Sequence, residues 1–348
     1  MQRSDHRLAV LNPGGRDPEQ DFHAPAEPDS AAHAPVNFHA YAACTGGAFH
    51  RDVTRAAAHR RVLLLLRGDL RASQRALRQL QAAGARVAVS LKETGLHQIA
   101  AQLADAGRLS RFLKIVSEAD GCIAPTPEAA DIYRDVRRGH EGVVFIPTPY
   151  PLHDRGWDFS RPVEHRHGIF VGTREWDVPS RNHAAALLAA RNVSDITGAR
   201  VTVYNFDGRK GERLLAEIGF RPNRLRVMGR GNSYAEYLRI VAEHRVVLEM
   251  DTSFVPGQVA GDALLCRIPC IGGNGAVDRL GHSATCGAGR FGPELEQLAT
   301  RLLVDAEFYT KTVAESQRNA AERLSFDGVA AQLEQFFTAL PPTTAKHE

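Results

Sequence analysis

Short, continuously apolar runs alternate with segments of helical periodicity along most of the chain. Runs of this kind are too short for buried helices, so we predict buried strands for them. In the first half the predicted strands cover residues 61–66, 86–90, 121–124 and 143–146, and the predicted helices cover 72–83, 95–106, 110–118 and 127–136. Strands that are apolar on both faces and joined by helices are typical of a parallel sheet covered on both sides.

The same alternation restarts after a proline-rich segment at residues 147–162, which has the composition of an interdomain linker. Here the predicted strands cover residues 168–171, 200–204, 225–228 and 245–249, and the predicted helices cover 182–190, 211–218 and 234–242. The pattern predicts two doubly wound, Rossmann-like α/β domains facing a cleft, residues 1–160 and 161–322. Residues 323–348 should form a last helix that packs back on the first domain, capped by Ser325 or Asp327.

The N-terminal fifty residues give a weaker pattern. Residues 7–11 predict a strand, and the Asn12-Pro13-Gly14-Gly15 sequence that follows predicts a turn. The next thirty residues lack periodicity and predict an irregular excursion. Residues 35–47 are less polar and end in a glycine pair, so they either return to the site or form a packed surface loop.

Composition agrees with a globular protein of two domains: 348 residues, 43% hydrophobic and 24% charged. A net charge of +3 does not indicate a dedicated nucleic-acid surface. The five cysteines show no CxxC pair and no zinc-binding spacing, and Cys122, Cys266 and Cys270 sit among apolar residues, so we expect these three to be reduced core thiols. No apolar run is long enough to span a membrane and no signal peptide is evident, so we expect a cytoplasmic protein.

Two common phosphate-binding motifs are absent. Neither NPGGRD nor FVGTRE fits the dinucleotide pattern G-x-G-x-x-G, and no P-loop sequence occurs. Dehydrogenase and P-loop NTPase functions are therefore weakly supported.

The second domain instead offers arginines beside a predicted helix start. Gly172-Thr173-Arg174 follows a strand end, and Arg181 directly precedes a helix. Two guanidiniums near a helix N-terminus suit a diphosphate, because arginine pairs with phosphate oxygens in a bidentate manner. The alternative is that these are surface arginines of an arginine-rich chain. Gly229 and Arg230 form a third, less specific loop of this kind.

A polar loop follows the last strand of the second domain, within residues 249–273. We predict strand, loop, helix and strand there, with the loop facing a ligand. Its candidate residues are Asp251, Ser253, Gly257, Gln258 and Asp262. The polar side chains could equally cap the helix or the turn.

The order of these motifs resembles the nucleotide-sugar-binding half of the retaining GT-B glycosyltransferases. Residues 262–269 (DALLCRIP) are similar to the family's E-A-[LM]-x-x-G-x-P helix, with Asp262 at its glutamate, and Gly257 matches a loop glycine. Two positions depart from the pattern: Phe254 replaces the first glutamate, and Arg267 replaces the glycine before the proline. The resemblance spans residues 61–273 and implies the fold more strongly than the activity.

The resemblance implies a UDP- or GDP-sugar donor in the second domain. Arg174 and Arg181 would stabilise the departing diphosphate, and Asp262 at a helix start would accept hydrogen bonds from donor hydroxyls. We expect no metal and no cofactor besides the donor, since no DxD motif occurs. The first domain would bind an unknown acceptor, which could be a glycan, a lipid or a small molecule.

Candidate acceptor-side residues follow the first and third predicted strands. They are Gly14, Gly15, Lys92 and His97, with Glu93 as a buried carboxylate that could orient an acceptor hydroxyl. A lone histidine such as His97 is more often structural than catalytic.

The predicted function is transfer of a sugar from a nucleotide diphosphate sugar, with retention. The main alternative is a non-catalytic GT-B-fold protein that binds a nucleotide sugar or acts as a scaffold, and Phe254 favours it. A GT-B epimerase or phosphorylase is a third hypothesis, although no segment suggests the lysine that would hold pyridoxal phosphate. A homo-oligomer is compatible with the sequence.

Overall fold

A computed structural model describes residues 6–229 and 231–341. The chain divides into two compact units. The first holds the described chain up to Pro151 together with the segment that begins at Ser325, and the second spans Leu152–Leu324. No helix among the described residues is both long and apolar enough to cross a bilayer.

The strands are short and mostly buried. In chain order they are β1 (Leu8–Leu11), β2 (Gln20–Asp21), β3 (Ala48–His50), β4 (Arg61–Leu66), β5 (Arg86–Leu91), β6 (Gly121–Ala124), β7 (Val143–Phe145), β8 (Ile169–Val171), β9 (Val201–Tyr204), β10 (Leu225–Met228), β11 (Val246–Leu248) and β12 (Cys270–Ile271).

Helices follow nearly every strand. They are α1 (Phe38–Ala43), α2 (Val53–Ala56), α3 (Arg71–Ala82), α4 (Leu96–Leu103), α5 (Ala106–Glu118), α6 (Pro127–Arg137), α7 (His183–Thr197), α8 (Arg209–Ile218), α9 (Tyr234–Val241), α10 (Gln258–Leu265), α11 (Ala276–Gly281), α12 (Gly292–Val304), α13 (Ala306–Arg323) and α14 (Phe326–Ala339).

The first unit is built on a seven-stranded sheet in the order β2-β3-β1-β4-β5-β6-β7. All neighbours are parallel except β2, which runs antiparallel to β3. One face of the sheet packs on α3, α5 and α6, and the other packs on α1 and α14. Covering both faces explains why β4 is apolar at every position after Arg61.

The second unit has a five-stranded, fully parallel sheet in the order β10-β9-β8-β11-β12. Helices α7, α12 and α13 bury their apolar sides in its core. The predicted fold class of two parallel α/β sheets is thus confirmed. In both sheets the carboxyl ends of the parallel strands lie along one edge, and the loops that leave this edge carry most predicted site residues.

The N-terminal segment differs from its prediction. Residues 16–50 contain β2, α1 and β3, and α1 is buried against Ile146 through the Tyr41 hydroxyl, which donates to the Ile146 carbonyl at 2.7 Å. The stretch at 35–47 is therefore built around a buried helix and is not a surface loop, and it reaches a predicted site residue, since the Lys92 ammonium lies 5.8 Å from the ring centroid of Phe38. Elements of two to six residues are too short to show a period of their own.

The C-terminal helical region agrees with the sequence at one break and adds a second. Ser325 caps α14 by accepting from the Gly328 amide, as predicted. Asp305 ends α12 and caps α13 in the same manner, by accepting from the Phe308 amide, and this break was not predicted. The five cysteines are free thiols, as expected for Cys122, Cys266 and Cys270.

Candidate functional site

The loops after β8 and β11 begin side by side. Val171 and Leu248, the last residues of these strands, are partners in the parallel ladder, and the Gly172 amide donates to the Leu248 carbonyl at 2.9 Å. A Cβ on Gly172 would lie 2.3 Å from Cγ1 of Val259 in α10. Only a glycine lets α10 approach this closely, so the two loops and the helix form one compact edge.

Arg181 is the central charge of this edge. It ends a short 3-10 turn, Pro179–Arg181, just before Asn182 and α7. Its guanidinium forms an ion pair with Asp251. Its Nε lies 2.9 Å from Oε2 of Glu175, but this ion pair lacks hydrogen-bond geometry, and the buried Nε has no hydrogen-bond partner among the described residues. Burial alone would lower the pKa of Arg181, but Asp251 and Glu175 raise it above the usual value. The charge of Arg181 is thus balanced within the protein.

Hydrogen bonds fix the segment that carries Arg181 to the loop that carries Asp251. The Thr252 amide donates to the Ser180 carbonyl at 2.8 Å, and the Ser180 and Ser253 hydroxyl oxygens lie 2.7 Å apart. The Asn182 side-chain amide donates to the Met250 carbonyl at 2.9 Å. Asp251 itself is anchored, because its Oδ1 accepts from the Ser253 amide at 2.7 Å.

Arg174 and Thr173 lie in the loop after β8, as predicted, but they differ in exposure. Arg174 is exposed, and its guanidinium lies 5.1 Å from the ring centroid of Phe206. Thr173 is buried, with its hydroxyl oxygen 3.1 Å from Nδ1 of His183. His183 opens α7, and its Nε2 is buried without a hydrogen-bond partner among the described residues.

Asp262 does not occupy the position predicted for it. It is the fifth residue of α10 and is buried, not a carboxylate at the helix start. The Tyr234 hydroxyl donates to its Oδ1 at 2.5 Å. Burial raises the pKa of Asp262 to about 7, although hydrogen bonds from Tyr234 and Tyr237 act in the opposite direction. The prediction placed Asp262 at the helix start because the family pattern begins its helix there, whereas here Gly257 precedes the helix and Gln258 begins it.

The start of α10 is formed by Gly257 and Gln258. Gly257 adopts a left-handed conformation (φ 92°), and a Cβ there would lie 2.8 Å from Oδ2 of Asp278. Phe254, at the position of the expected glutamate, also has a positive φ of 52°. Its amide donates to Oδ1 of Asn274 at 3.1 Å.

A pair of buried carboxyls beneath this loop was not predicted. Ligand atoms of Glu249, Cys270 and Asp278 lie within 4.8 Å of one another, the spacing of a small metal site. Burial raises the pKa of Glu249 well above its usual value and that of Asp278 to about 6, and the charges of Asp278 and Asp251 add to the effect on Glu249. Burial therefore favours the protonated form of both carboxyls. Glu249 directly follows β11, and an acidic residue directly after a buried strand was the sequence signal that could have identified this pair.

The third predicted loop of the second unit lies away from these contacts. Gly229 is exposed after the edge strand β10, and Arg230 lies outside the described residues. A groove of about 630 Å³ runs between α8 and β10. Of the predicted site residues that the structure describes, Gly229 alone lines it.

In the first unit, the structure brings Lys92 to the turn that contains Gly14 and Gly15. The Gly15 amide donates to the Asn12 carbonyl at 3.0 Å. The Asn12 side-chain amide donates to Oδ2 of Asp17 at 2.5 Å, and the Lys92 ammonium lies 3.4 Å from the same oxygen. Asn12 is fully buried and its Oδ1 has no partner within the described chain. Sequence reasoning missed Asn12 and Asp17, although Asn12 directly follows β1.

Glu93 and His97 lie on the next turn of the same edge. Glu93 was predicted to be buried, but it is exposed, and Oε2 accepts from the Gln98 side chain at 3.2 Å. The prediction was wrong because β5 ends at Leu91 and the chain turns outward before Glu93. His97 is the second residue of α4 and is half-buried.

Comparisons with known proteins give different results for the sequence and for the fold. No family model and no curated protein matches the sequence. Solved structures do match. HepE of Anabaena in complex with UDP aligns over 83% of this chain and 81% of its own, at 14% identity and a TM-score of 0.62.

Two further solved structures match this chain in fold at similar TM-scores. Trehalose-6-phosphate synthase OtsA aligns over 81% of this chain and 72% of its own, at 11% identity and a TM-score of 0.59. S. aureus TarM in complex with UDP aligns over 79% of this chain and 55% of its own, at 10% identity and a TM-score of 0.58. With its two parallel α/β sheets, the chain has the fold of the GT-B glycosyltransferase superfamily.

Proposed function

We propose that the protein is a glycosyltransferase that moves a sugar from a nucleotide diphosphate sugar to an acceptor, with retention and without a metal. The observation that carries this proposal is the arrangement of Arg174 and Arg181 at the carboxyl edge of the second sheet, where Arg181 precedes α7. Helix N-termini and guanidiniums both favour a diphosphate. HepE, which shares the fold, has been crystallised with UDP-glucose.

In this proposal the donor lies along the edge formed by the loops after β8 and β11. The Gly172 and Thr173 backbone lies beside the phosphates, and the two arginines stabilise the negative charge that develops on the leaving diphosphate. The loop with Asp251, Ser253, Gly257 and Gln258 contacts donor hydroxyls, and Gly229 with Arg230 borders the nucleoside. Asp262 acts indirectly, by accepting the hydrogen bond that orients the Tyr234 hydroxyl.

The acceptor belongs to the first unit in this proposal. The turn of Gly14 and Gly15 and the ammonium of Lys92 form a small polar group there through Asp17, and Glu93 and His97 flank it. The buried, unpartnered Oδ1 of Asn12 is an acceptor suited to a hydroxyl group.

Calorimetric titration with UDP, GDP and ADP tests the proposal. At least one nucleotide should bind, and Arg174→Ala should weaken it by about 10-fold or more, the effect of losing one charged hydrogen bond of about 1.5–3 kcal/mol. Arg301→Ala is the matched control, because Arg301 is an exposed, ion-paired arginine of α12, outside the loops after β8, β10 and β11. Failure of every nucleotide to bind would refute the proposal.

A second candidate is a nucleotide-sugar-binding protein without turnover. Two observations favour it: Phe254 replaces a carboxylate, and Asp262 is engaged by tyrosine. Incubation with donor sugars distinguishes the two functions. A transferase should slowly release free nucleoside diphosphate even without acceptor, whereas a binding protein should retain intact donor.

A further inference from the structure

Two carboxylates contact the guanidinium of Arg181, but they are held very differently. The side chain of Asp251 is 4% exposed and is fixed by the Ser253 amide. The side chain of Glu175 is 52% exposed and reaches Arg181 from the loop after β8. The Asp251 contact is thus part of the packed edge, and the Glu175 contact lies at the protein surface.

We propose that Glu175 occupies the place of a donor phosphate on Arg181 and leaves when a diphosphate binds, whereas Asp251 stays and aims the guanidinium. The inference rests on the proposed function, since it assigns the anion that replaces Glu175. A carboxylate and a phosphate oxygen offer the same acceptor geometry to an arginine fork. Binding is therefore an exchange of anions at Arg181.

The exchange has a defined energetic consequence. A bound diphosphate gains its contact with Arg181 only after the Glu175 contact is lost, so Glu175 weakens binding by the strength of that ion pair. An ion pair with one half-exposed partner is weak, and its loss corresponds to a factor of about two to five in affinity. Glu175 also adds a negative charge close to an incoming anion.

The two carboxylates should then act in opposite directions. Glu175→Gln should tighten the binding of UDP and of inorganic pyrophosphate by about two- to fivefold. Asp251→Asn should weaken both, because the guanidinium loses the partner that orients it. A purely structural role would make both substitutions weaken binding or leave it unchanged.

Asp177→Asn is the matched control for Glu175→Gln. Asp177 lies two residues along the same loop, is exposed and contacts Lys210 at 2.5 Å, so its substitution removes one negative charge without touching Arg181. Both variants are at exposed positions and should keep the unfolding midpoint of the wild type. All titrations are made at one ionic strength, since screening changes the long-range charge effect.

The double variant Glu175→Gln/Arg181→Ala completes the test. If the exchange occurs at Arg181, Glu175→Gln should give no gain in the Arg181→Ala background. The inference is overturned if Glu175→Gln fails to tighten binding, if Asp177→Asn tightens it equally, or if the gain survives without Arg181. In each of these cases the proposed function stands as long as the wild type binds a nucleoside diphosphate; absence of any binding by UDP, GDP, ADP or pyrophosphate overturns both.

Discussion

The carboxyl edges of the two sheets bury different kinds of polar group. At the first sheet the buried polar side chains are neutral: Asn12, Ser90, Thr94, Thr126 and Thr148. At the second sheet they include every fully buried carboxylate of the described chain: Glu249, Asp251, Asp262 and Asp278. Both edges have the same parallel architecture, so the fold itself does not require this difference.

Buried carboxyls lower stability unless they are paired or protonated. In the second unit Asp251 is stabilised by its ion pair with Arg181, Asp262 by hydrogen bonds from tyrosines, and Glu249 and Asp278 by raised pKa values that favour their protonated forms. Perturbed carboxyls concentrate at functional sites. The comparison therefore supports the proposal that the second sheet binds through charge and that the first recognises hydroxyl groups.

The largest expected effect comes from the glycines that shape these edges. Gly272 has a φ of 92°, and a Cβ there would lie 2.0 Å from the Glu249 carbonyl oxygen. Gly14 also has a positive φ, of 71°, but no atom lies within 4 Å of its Cβ position. Gly272→Ala should destabilise its unit by about 3 kcal/mol or more, and Gly14→Ala by roughly 1 kcal/mol.

Denaturant unfolding measures both substitutions, and the chain offers a probe that is specific for the second unit. Both tryptophans, Trp157 and Trp176, belong to the second unit. Tryptophan fluorescence should therefore follow Gly272→Ala, while circular dichroism reports both units. Equal losses for the two glycines would contradict the tighter packing of the second edge.

The next effect is a pH dependence set by Asp262. Its pKa is about 7 in the folded protein, because of burial, and about 4 when the chain is unfolded. The folded state thus retains a proton that the unfolded state releases, so this contribution to stability is full below about pH 4 and is lost as the pH rises to about 7.

Asp262→Asn removes this contribution while still accepting the Tyr234 hydrogen bond. The difference in unfolding free energy between wild type and variant should fall by on the order of 1 kcal/mol per pH unit between pH 4 and 7, then level off. Buried histidines such as His282, whose pKa burial lowers to about 4, give an opposite slope in both proteins and cancel. Parallel stability curves would show that Asp262 carries no perturbed proton.

The sequence predicted the features that depend on the local pattern of apolar and polar residues. Apolar runs located β4, β5 and β6, because burial on both faces leaves a direct record in composition. The helix-capping residue Ser325 located the start of the last helix. The sequence also located the loops of Arg174, Arg181 and Asp251. It could not show that Arg181 pairs with Asp251, 70 residues further along the chain, or that Asp262 faces Tyr234.

The same limit explains the errors. Helix α1 is buried by contacts with β1, β3 and α14. Two of these elements, β1 and α14, are distant in sequence, so the six residues of α1 carry little signal of their own. Glu93 was placed by its distance from a strand end, but exposure there depends on the direction in which the chain turns. Pairing and direction are tertiary properties that a one-dimensional pattern does not contain.

The smallest expected effect is that of Lys92→Ala on donor binding. Lys92 pairs with Asp17 at the first sheet, and its side chain is 21% exposed, so its loss should lower stability by no more than about 1 kcal/mol. If the first edge recognises hydroxyls and the second binds the diphosphate, UDP affinity should change by less than about twofold, as for independent sites. Calorimetric titration of Lys92→Ala with UDP, compared with that of Arg174→Ala, checks this expectation. A tenfold loss would mean that a lysine of the first edge also contacts the phosphates, and the division between a neutral edge and a charged edge would then be wrong.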